Sequence, residues 1–275
     1  MPDGNADMLD AASLIGRCDV LFITLDTLRF DVADDAMRAG RTPTLQALLP
    51  GGVWERRHSP ASFTYAAHQA FFAGFLPTPA EPGPHPRLFA ARFAGSETTT
   101  PKTAVFDAPD IVTGFAAKGY ATVCVGGVGF FSRLTPLGSV LPDLFEEAHW
   151  SPELGVTSAT STQAQVDLAR ARLDAIGEDR RVFLFINVSA LHQPNCIFSS
   201  EATNDSPKTQ ADALAYVDEQ LSPLFEALRQ RGDTLCILTS DHGTCYGEDG
   251  YHGHRIGHRA VWEVPYTEIL LEGER

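Results

Sequence analysis

Short strand-like runs recur along this chain with helical stretches between them, and that alternation restricts the fold to an α/β class built on a mainly parallel central sheet. The runs extend from Asp19 to the carboxylate Asp26, from Ala121 to Val125, from Val182 to Val188, from Thr234 to Leu238 and from Val264 to Leu271. They are mostly apolar, as buried strands are, so helices are expected to sandwich the sheet. Helical stretches are predicted at Pro43 to Leu49, Tyr65 to Phe72, Asp110 to Lys118 (closed by Gly119), Thr162 to Ile176 and Thr209 to Leu228. Val166, Leu168, Leu173 and Ile176 form a packing stripe and carry no chemistry. With 275 residues, 44% of them hydrophobic, one large core is within reach, and residues 1–275 read as a single catalytic domain. Two stretches fit the alternation poorly. Prolines crowd Leu76 to Arg87 and threonines crowd Ser96 to Thr103, so 76–108 is expected to be a surface loop or lid. Gly126-Gly127-Val128-Gly129-Phe130-Phe131 reads as a packed glycine turn before a substrate pocket, and it is no phosphate loop.

Chemistry-bearing residues stand at the ends of these runs. Thr239-Ser240-Asp241-His242-Gly243 follows the Thr234 strand, and Glu248-Asp249-Gly250-Tyr251-His252-Gly253-His254 and then His258 come soon after. An Asp-His pair at a strand's C-terminal end, where open α/β sheets put their sites, is either a metal site or a buried structural pair. Asp26 ends the first run, where an unpaired carboxylate is costly to desolvate; it invites a cation, the plainer alternative being a cap or a pair with Arg29. In Ser62-Phe63-Thr64-Tyr65-Ala66-Ala67-His68, hydroxyls precede a helical stretch that ends at Gly74, which sets a nucleophile or an N-cap at a helix N-terminus. Phe185 to Pro194 is an apolar strand followed by the turn His192-Gln193-Pro194.

Together these windows resemble the alkaline phosphatase superfamily, on the branch that holds sulfatase-like hydrolases, phosphodiesterases and the phosphoethanolamine and lipoteichoic-acid transferases. The resemblance runs in order from about Asp19 to the end of the chain. It implies an alkaline-phosphatase-like fold and a site in which Asp26, Thr64, Asp241 and His242 converge on one metal, with Thr64 as nucleophile. In sulfatase-like enzymes the nucleophile opens a helix that a glycine closes ten positions on, usually before a turn with proline. Gly74-Phe75-Leu76-Pro77 matches that end, and counting back gives Thr64, with Ser62 and then Ser59 as fallbacks. The sulfatase signature needs Pro and Arg at the second and fourth later positions, which are Ala66 and His68 here; phosphoryl transfer is therefore favoured over a formylglycine mechanism. His254, twelve positions after His242, matches a transferase histidine that touches a second metal or the phosphate, and His192 matches a substrate-side histidine. Both are candidates as catalytic residues and as ligands. Arg29, His68 and His258 are second-tier candidates for contacting substrate. Many sulfatases carry two adjacent acids where Asp26-Thr27 stands, which favours a smaller or softer cation than calcium. One or two divalent ions are implied, zinc or manganese before magnesium or calcium.

The chain has 21 Lys and Arg against 35 Asp and Glu, a formal charge of −14, so neither nucleic acid nor an anionic membrane is an expected partner. A small phosphoester is the expected substrate, provided cations reverse the local potential. Met1 to Arg17 does not read as a secretory signal and no run has the length of a membrane span, so a cytoplasmic location is expected. Five scattered cysteines are expected to be reduced, Cys124 and Cys236 as core residues, while Cys245 could be an extra ligand. The function expected is a metal-dependent phosphomonoester or phosphodiester hydrolase. The alternatives are a sulfate-ester hydrolase, a phosphoryl transferase or mutase, and a non-catalytic metal-binding partner protein.

Overall fold

A computed structural model describes residues 9–74 and 110–274. The loop or lid expected at 76–108 lies outside the described residues. In chain order the elements are α1 (Ala11–Leu14), β1 (Asp19–Leu25), α2 (Phe30–Arg38), α3 (Pro43–Leu48), β2 (Glu55–His58), α4 (Thr64–Ala73), α5 (Ile111–Ala117), β3 (Ala121–Val125), α6 (Pro136–Val140), β4 (Glu147–His149), α7 (Ser161–Ile176), β5 (Val182–Val188), α8 (Pro207–Arg231), β6 (Thr234–Thr239), β7 (Cys245–Tyr246), β8 (His252–Gly253), α9 (Arg259–Trp262) and β9 (Glu263–Leu271). Seven strands form one sheet in the order β2-β9-β6-β1-β5-β3-β4, and β7 pairs with β8 in a separate hairpin. From β6 through β1, β5 and β3 to β4 every pairing is parallel, whereas β9 runs antiparallel to both β6 and β2. The architecture is the α/β class expected, a mostly parallel sheet flanked by helices.

The two faces of the sheet bury different side chains. Leu21, Ile23 and Leu25 of β1, Leu184, Ile186 and Val188 of β5, and Cys236 and Leu238 of β6 form an aliphatic core with α2, α3, α7 and α8. The opposite face presents Val20, Phe22, Phe183, Phe185 and Cys124, packed with Phe72 of α4, Phe131 and Phe145. That face is aromatic because successive β5 residues point to opposite sides and Phe183 and Phe185 occupy one of them. The same face changes character at the C-terminal end, where Thr24 of β1 stands opposite Asn187 of β5. Both side chains are fully buried, and both bear on the site.

The remaining differences from the predicted elements have local causes. α4 begins at Thr64 with Phe63 in the cap position, so Thr64 is the first helical residue and not an N-cap; Gly74 closes the helix in the left-handed conformation, φ 71°. α2 has buried residues at Val32, Ala33, Ala36 and Met37, but its aspartates mask that stripe in sequence. β2 is an edge strand of four exposed polar residues with no apolar signal to find. α8 starts at Pro207, behind a capping box between Ser206 and Thr209. In the glycine turn, a Cβ on Gly127 would collide with the backbone carbonyl of Asn187, which fits close packing there. Among the described residues no helix is long and apolar enough to cross a membrane.

Candidate metal centre and nucleophile

Because β6, β1 and β5 are parallel neighbours, their C-terminal ends open along one edge and deliver Asp241-His242, Asp26 and the His192 turn side by side. Two carboxylates each have one oxygen tied to protein donors and one left bare, and an imidazole nitrogen beside them meets only the Thr64 hydroxyl. Asp26 accepts at Oδ2 from Asn187 Nδ2 at 3.1 Å. Asp241 accepts at Oδ1 from the backbone N–H of Thr27 at 3.1 Å and of His242 at 3.0 Å. Asp26 Oδ1 and Asp241 Oδ2 are buried with no hydrogen-bond partner. His242 Nδ1 lies 2.8 Å from the Gly243 carbonyl, which can only accept, so Nδ1 carries the proton and Nε2 presents a lone pair. One ligand atom from each of Asp26, Asp241 and His242 falls within 4.8 Å of the others.

Two bare carboxylate oxygens facing each other out of water are unfavourable without a counter-charge. Burial, and next the charge of Asp241, push the Asp26 carboxyl up to about 6. Burial likewise pushes Asp241 up to about 7, against the pull of the N–H donors from Thr27 and His242. His242 is held below the ordinary histidine range by burial. A divalent cation would satisfy both bare oxygens and take the His242 Nε2 lone pair, so the donor set fits one. Thr64 lies beside them: its Oγ1 is 3.3 Å from His242 Nε2 and 3% of the residue is exposed.

The other histidines divide into near and remote. His254 stacks at a tilt against His242, ring centroids 4.7 Å apart, and His192 meets His254 at 5.9 Å, so three imidazoles form a row beside Thr64. Burial depresses His254 to about 4. His192 Nδ1 donates to the Gln193 carbonyl at 2.6 Å, leaving Nε2 bare. His258 instead caps α9 by accepting from the Ala260 N–H and pairs with Asp249 at 3.2 Å. His252 is exposed in the hairpin. His68 is fully buried among Phe71, Phe72, Phe131 and Phe185, and points into the fold. Arg29 is engaged by Asp31 and Glu248, so it ties the β1 exit to the hairpin loop that carries His254. Of the fallback nucleophiles, Ser59 spends its hydroxyl on the carbonyls of Ala61 and Asp241. Cys245 packs with Ala260 and Val261 as an apolar residue.

Four residues escape the sequence reading. Thr27 adopts φ 64°, rare for a β-branched residue, and this turns its N–H onto Asp241 while its hydroxyl donates to the Leu191 carbonyl. Its side chain therefore points away from the bare carboxylate oxygens. Asn187 and Thr24 signal themselves only as polar interruptions at matching positions of two apolar runs. Arg255, exposed and with φ 68°, lays its guanidinium over the Phe63 ring at 5.2 Å, and its charge helps depress both His242 and His254. No acid lies within ion-pair distance of it among the described residues, and nothing in its local sequence marks it out.

Comparison with known proteins bears on family and fold. The model of the family described as Sulfatase matches residues 19–268. Over 71 residues the chain is 39% identical to the low-salt glycan biosynthesis sulfotransferase Agl7 of Haloferax volcanii, covering 24% of this chain and 16% of that one. Among solved structures, the lipoteichoic acid synthase LtaP of Listeria monocytogenes superposes with a TM-score of 0.63 at 12% identity, covering 93% of this chain and 66% of that one. The periplasmic domain of EptC from Escherichia coli, in complex with zinc, gives 0.63 at 12% identity over 94% and 73%. A sulfatase-like protein of Bacteroides thetaiotaomicron gives 0.61 at 13% identity over 94% and 64%. At such identities the likeness is one of fold. The chain thus spans under two thirds of the first two relatives named.

Proposed function

Because the chain belongs to the sulfatase family, within the alkaline phosphatase superfamily, we propose that it is a metal-dependent phosphoester hydrolase with Thr64 as its nucleophile. The observation that carries this reading is the pair of bare, buried carboxylate oxygens, Asp26 Oδ1 and Asp241 Oδ2, beside His242 Nε2, whose lone pair only the Thr64 hydroxyl engages. Two carboxylates, an imidazole and a hydroxyl suit zinc or manganese, with magnesium or calcium as harder alternatives. Such a cation supplies Lewis acidity that brings the Thr64 hydroxyl within reach of ionisation near neutral pH. Thr64 Oγ then attacks phosphorus, the bond to the leaving alcohol oxygen breaks, and that oxygen takes a proton from His192 or His254. The same histidines accept a proton from the water that attacks the phosphothreonine; its Oγ–P bond breaks, Thr64 Oγ regains a proton, and phosphate leaves from a monoester or a phosphomonoester from a diester. His254 is depressed by burial, so it enters the first step neutral unless an anionic substrate raises it, and His192 turns its Nε2 free of protein hydrogen bonds.

Sulfuryl chemistry is the second reading, favoured by the family description and by the partial likeness to a sulfotransferase. Ala66 and His68 stand where the formylglycine signature needs Pro and Arg, which supports phosphorus. Transfer to an acceptor alcohol would use the same first step. The test is elemental analysis of the purified protein together with Asp241→Ala and Thr64→Ala variants, assayed on phosphate monoesters, phosphate diesters and sulfate esters of one phenol. Metal is expected in the wild type and in Thr64→Ala, not in Asp241→Ala, with phosphoester turnover in the wild type alone. Turnover retained by Thr64→Ala removes the nucleophile assignment. A metal-free wild type, inactive on all three esters when supplied with cations, moves the non-catalytic reading to first place.

A further inference from the structure

Hydrogen-bond directionality in the buried polar cluster behind the site admits one arrangement. His68 Nδ1 lies 2.7 Å from the Thr64 carbonyl, so Nδ1 must donate and Nε2 must be bare. Thr24 Oγ1 sits 2.9 Å from that Nε2 and therefore donates to it. The hydroxyl oxygen in turn accepts from Asn187 Nδ2 at 3.2 Å, and the second Asn187 N–H goes to Asp26 Oδ2 at 3.1 Å. Asn187 Oδ1 closes the chain by accepting the Val128 N–H at 3.2 Å, which fixes the amide's orientation. Thr24, His68, Asn187 and Asp26 are all fully buried, so water competes for none of these bonds.

We propose that Thr24, His68 and Asn187 are positioning residues, a one-way hydrogen-bond chain that locks Asp26 with Oδ1 toward the cation and ties it to the backbone of Thr64. The chain joins three elements that share no local sequence: β1, β5 and the first turn of α4. It sets the separation between the cation's carboxylate ligand and the nucleophile, so both metal affinity and turnover depend on it. Four phenylalanines around His68 exclude water, so the only hydrogen bond its Nε2 makes is with Thr24, whose hydroxyl oxygen already accepts from Asn187 and so turns its proton to His68. The inference rests on the proposed reading for the cation and for Thr64.

Thr24 separates positioning from packing. Thr24→Val keeps the shape and deletes the hydroxyl; Thr24→Ser keeps the hydroxyl and deletes the methyl. Positioning predicts that Thr24→Val loses on the order of 10- to 100-fold in zinc or manganese affinity, with a fall in kcat on an aryl phosphate larger than any rise in KM. Thr24→Ser is expected to recover most of both. A Val variant that equals the wild type, or a Ser variant no better than Val, overturns the proposal. Nitrogen-15 NMR of the His68 imidazole provides a readout independent of activity. A protonated Nδ1 with a bare Nε2 in the wild type upholds the chain even should no ester be turned over, and a protonated Nε2 overturns it.

Discussion

Asp26 and Asp241 face each other through oxygens that nothing in the protein satisfies, so the charge of this pair is set by what binds there. With both carboxyls raised by burial, to about 6 and about 7, a cation must displace protons below neutrality. Affinity is expected to be flat above pH 8 and to fall as pH drops through 7 and 6, approaching tenfold per pH unit for each proton displaced. Calorimetry in buffers of different ionisation enthalpy should register proton release at pH 6 and little at pH 8; release that does not depend on pH would mean the ligands lie elsewhere. The linkage sign for the metal-free protein follows. Both folded-state values are raised, so the stability these groups contribute is present at acid pH and is lost as pH rises through about 6 and 7. His68 acts oppositely: its value is depressed to about 3, so its contribution is lost as pH falls below the ordinary histidine range. The residues that present bare atoms were legible in sequence because acids and histidines at the ends of apolar runs are conspicuous. Thr24 and Asn187 were not, since one polar residue in a strand looks like an ordinary variation until strand register pairs it with another.

The strands buried on both faces stood out in sequence, whereas α2, buried on one face behind its aspartates, and the exposed β2 did not. β1, β5 and β6 are apolar on both sides and stood out, whereas β2, with four exposed residues, offers only backbone pairing to β9. The seat of α4, the helix that carries Thr64, depends on the aromatic face beneath it. Phe185 meets the rings of Phe22, Phe72, Phe131, Phe145 and His68 at centroid distances of 5.1–5.8 Å. Phe185→Ala is expected to cost about 3–5 kcal/mol, since so many fixed rings cannot close the cavity. Water admitted beside His68 should also let its imidazole titrate closer to the ordinary range. Chemical denaturation together with NMR titration of His68 would check both. A loss under 1 kcal/mol with His68 unmoved would show that α4 is held from elsewhere.

On the scale of the whole molecule, the parallel sheet concentrates uncompensated carboxylates at one edge of a protein whose formal charge is −14. Both features favour cation binding over any other first event, because a phosphoester approaching this surface meets repulsion until the edge is neutralised. The candidate ligands come from the ends of β1 and β6, central strands of the sheet, and Thr64 comes from α4 on one face. A bound ion therefore cross-links elements far apart in sequence, and it does so only in the folded state. At a free concentration one hundred times its dissociation constant it should add about 2.7 kcal/mol. At about 2–4 °C per kcal/mol for a chain near this size, that is a rise of about 5–10 °C in the unfolding midpoint. Removing metal with a chelator should lower the midpoint by that amount and readdition should restore it, while Asp241→Ala should respond to neither. A midpoint indifferent to chelation in the wild type would mean that Asp26 and Asp241 share a proton rather than an ion, and the edge would then be a structural carboxyl pair with no catalytic cation.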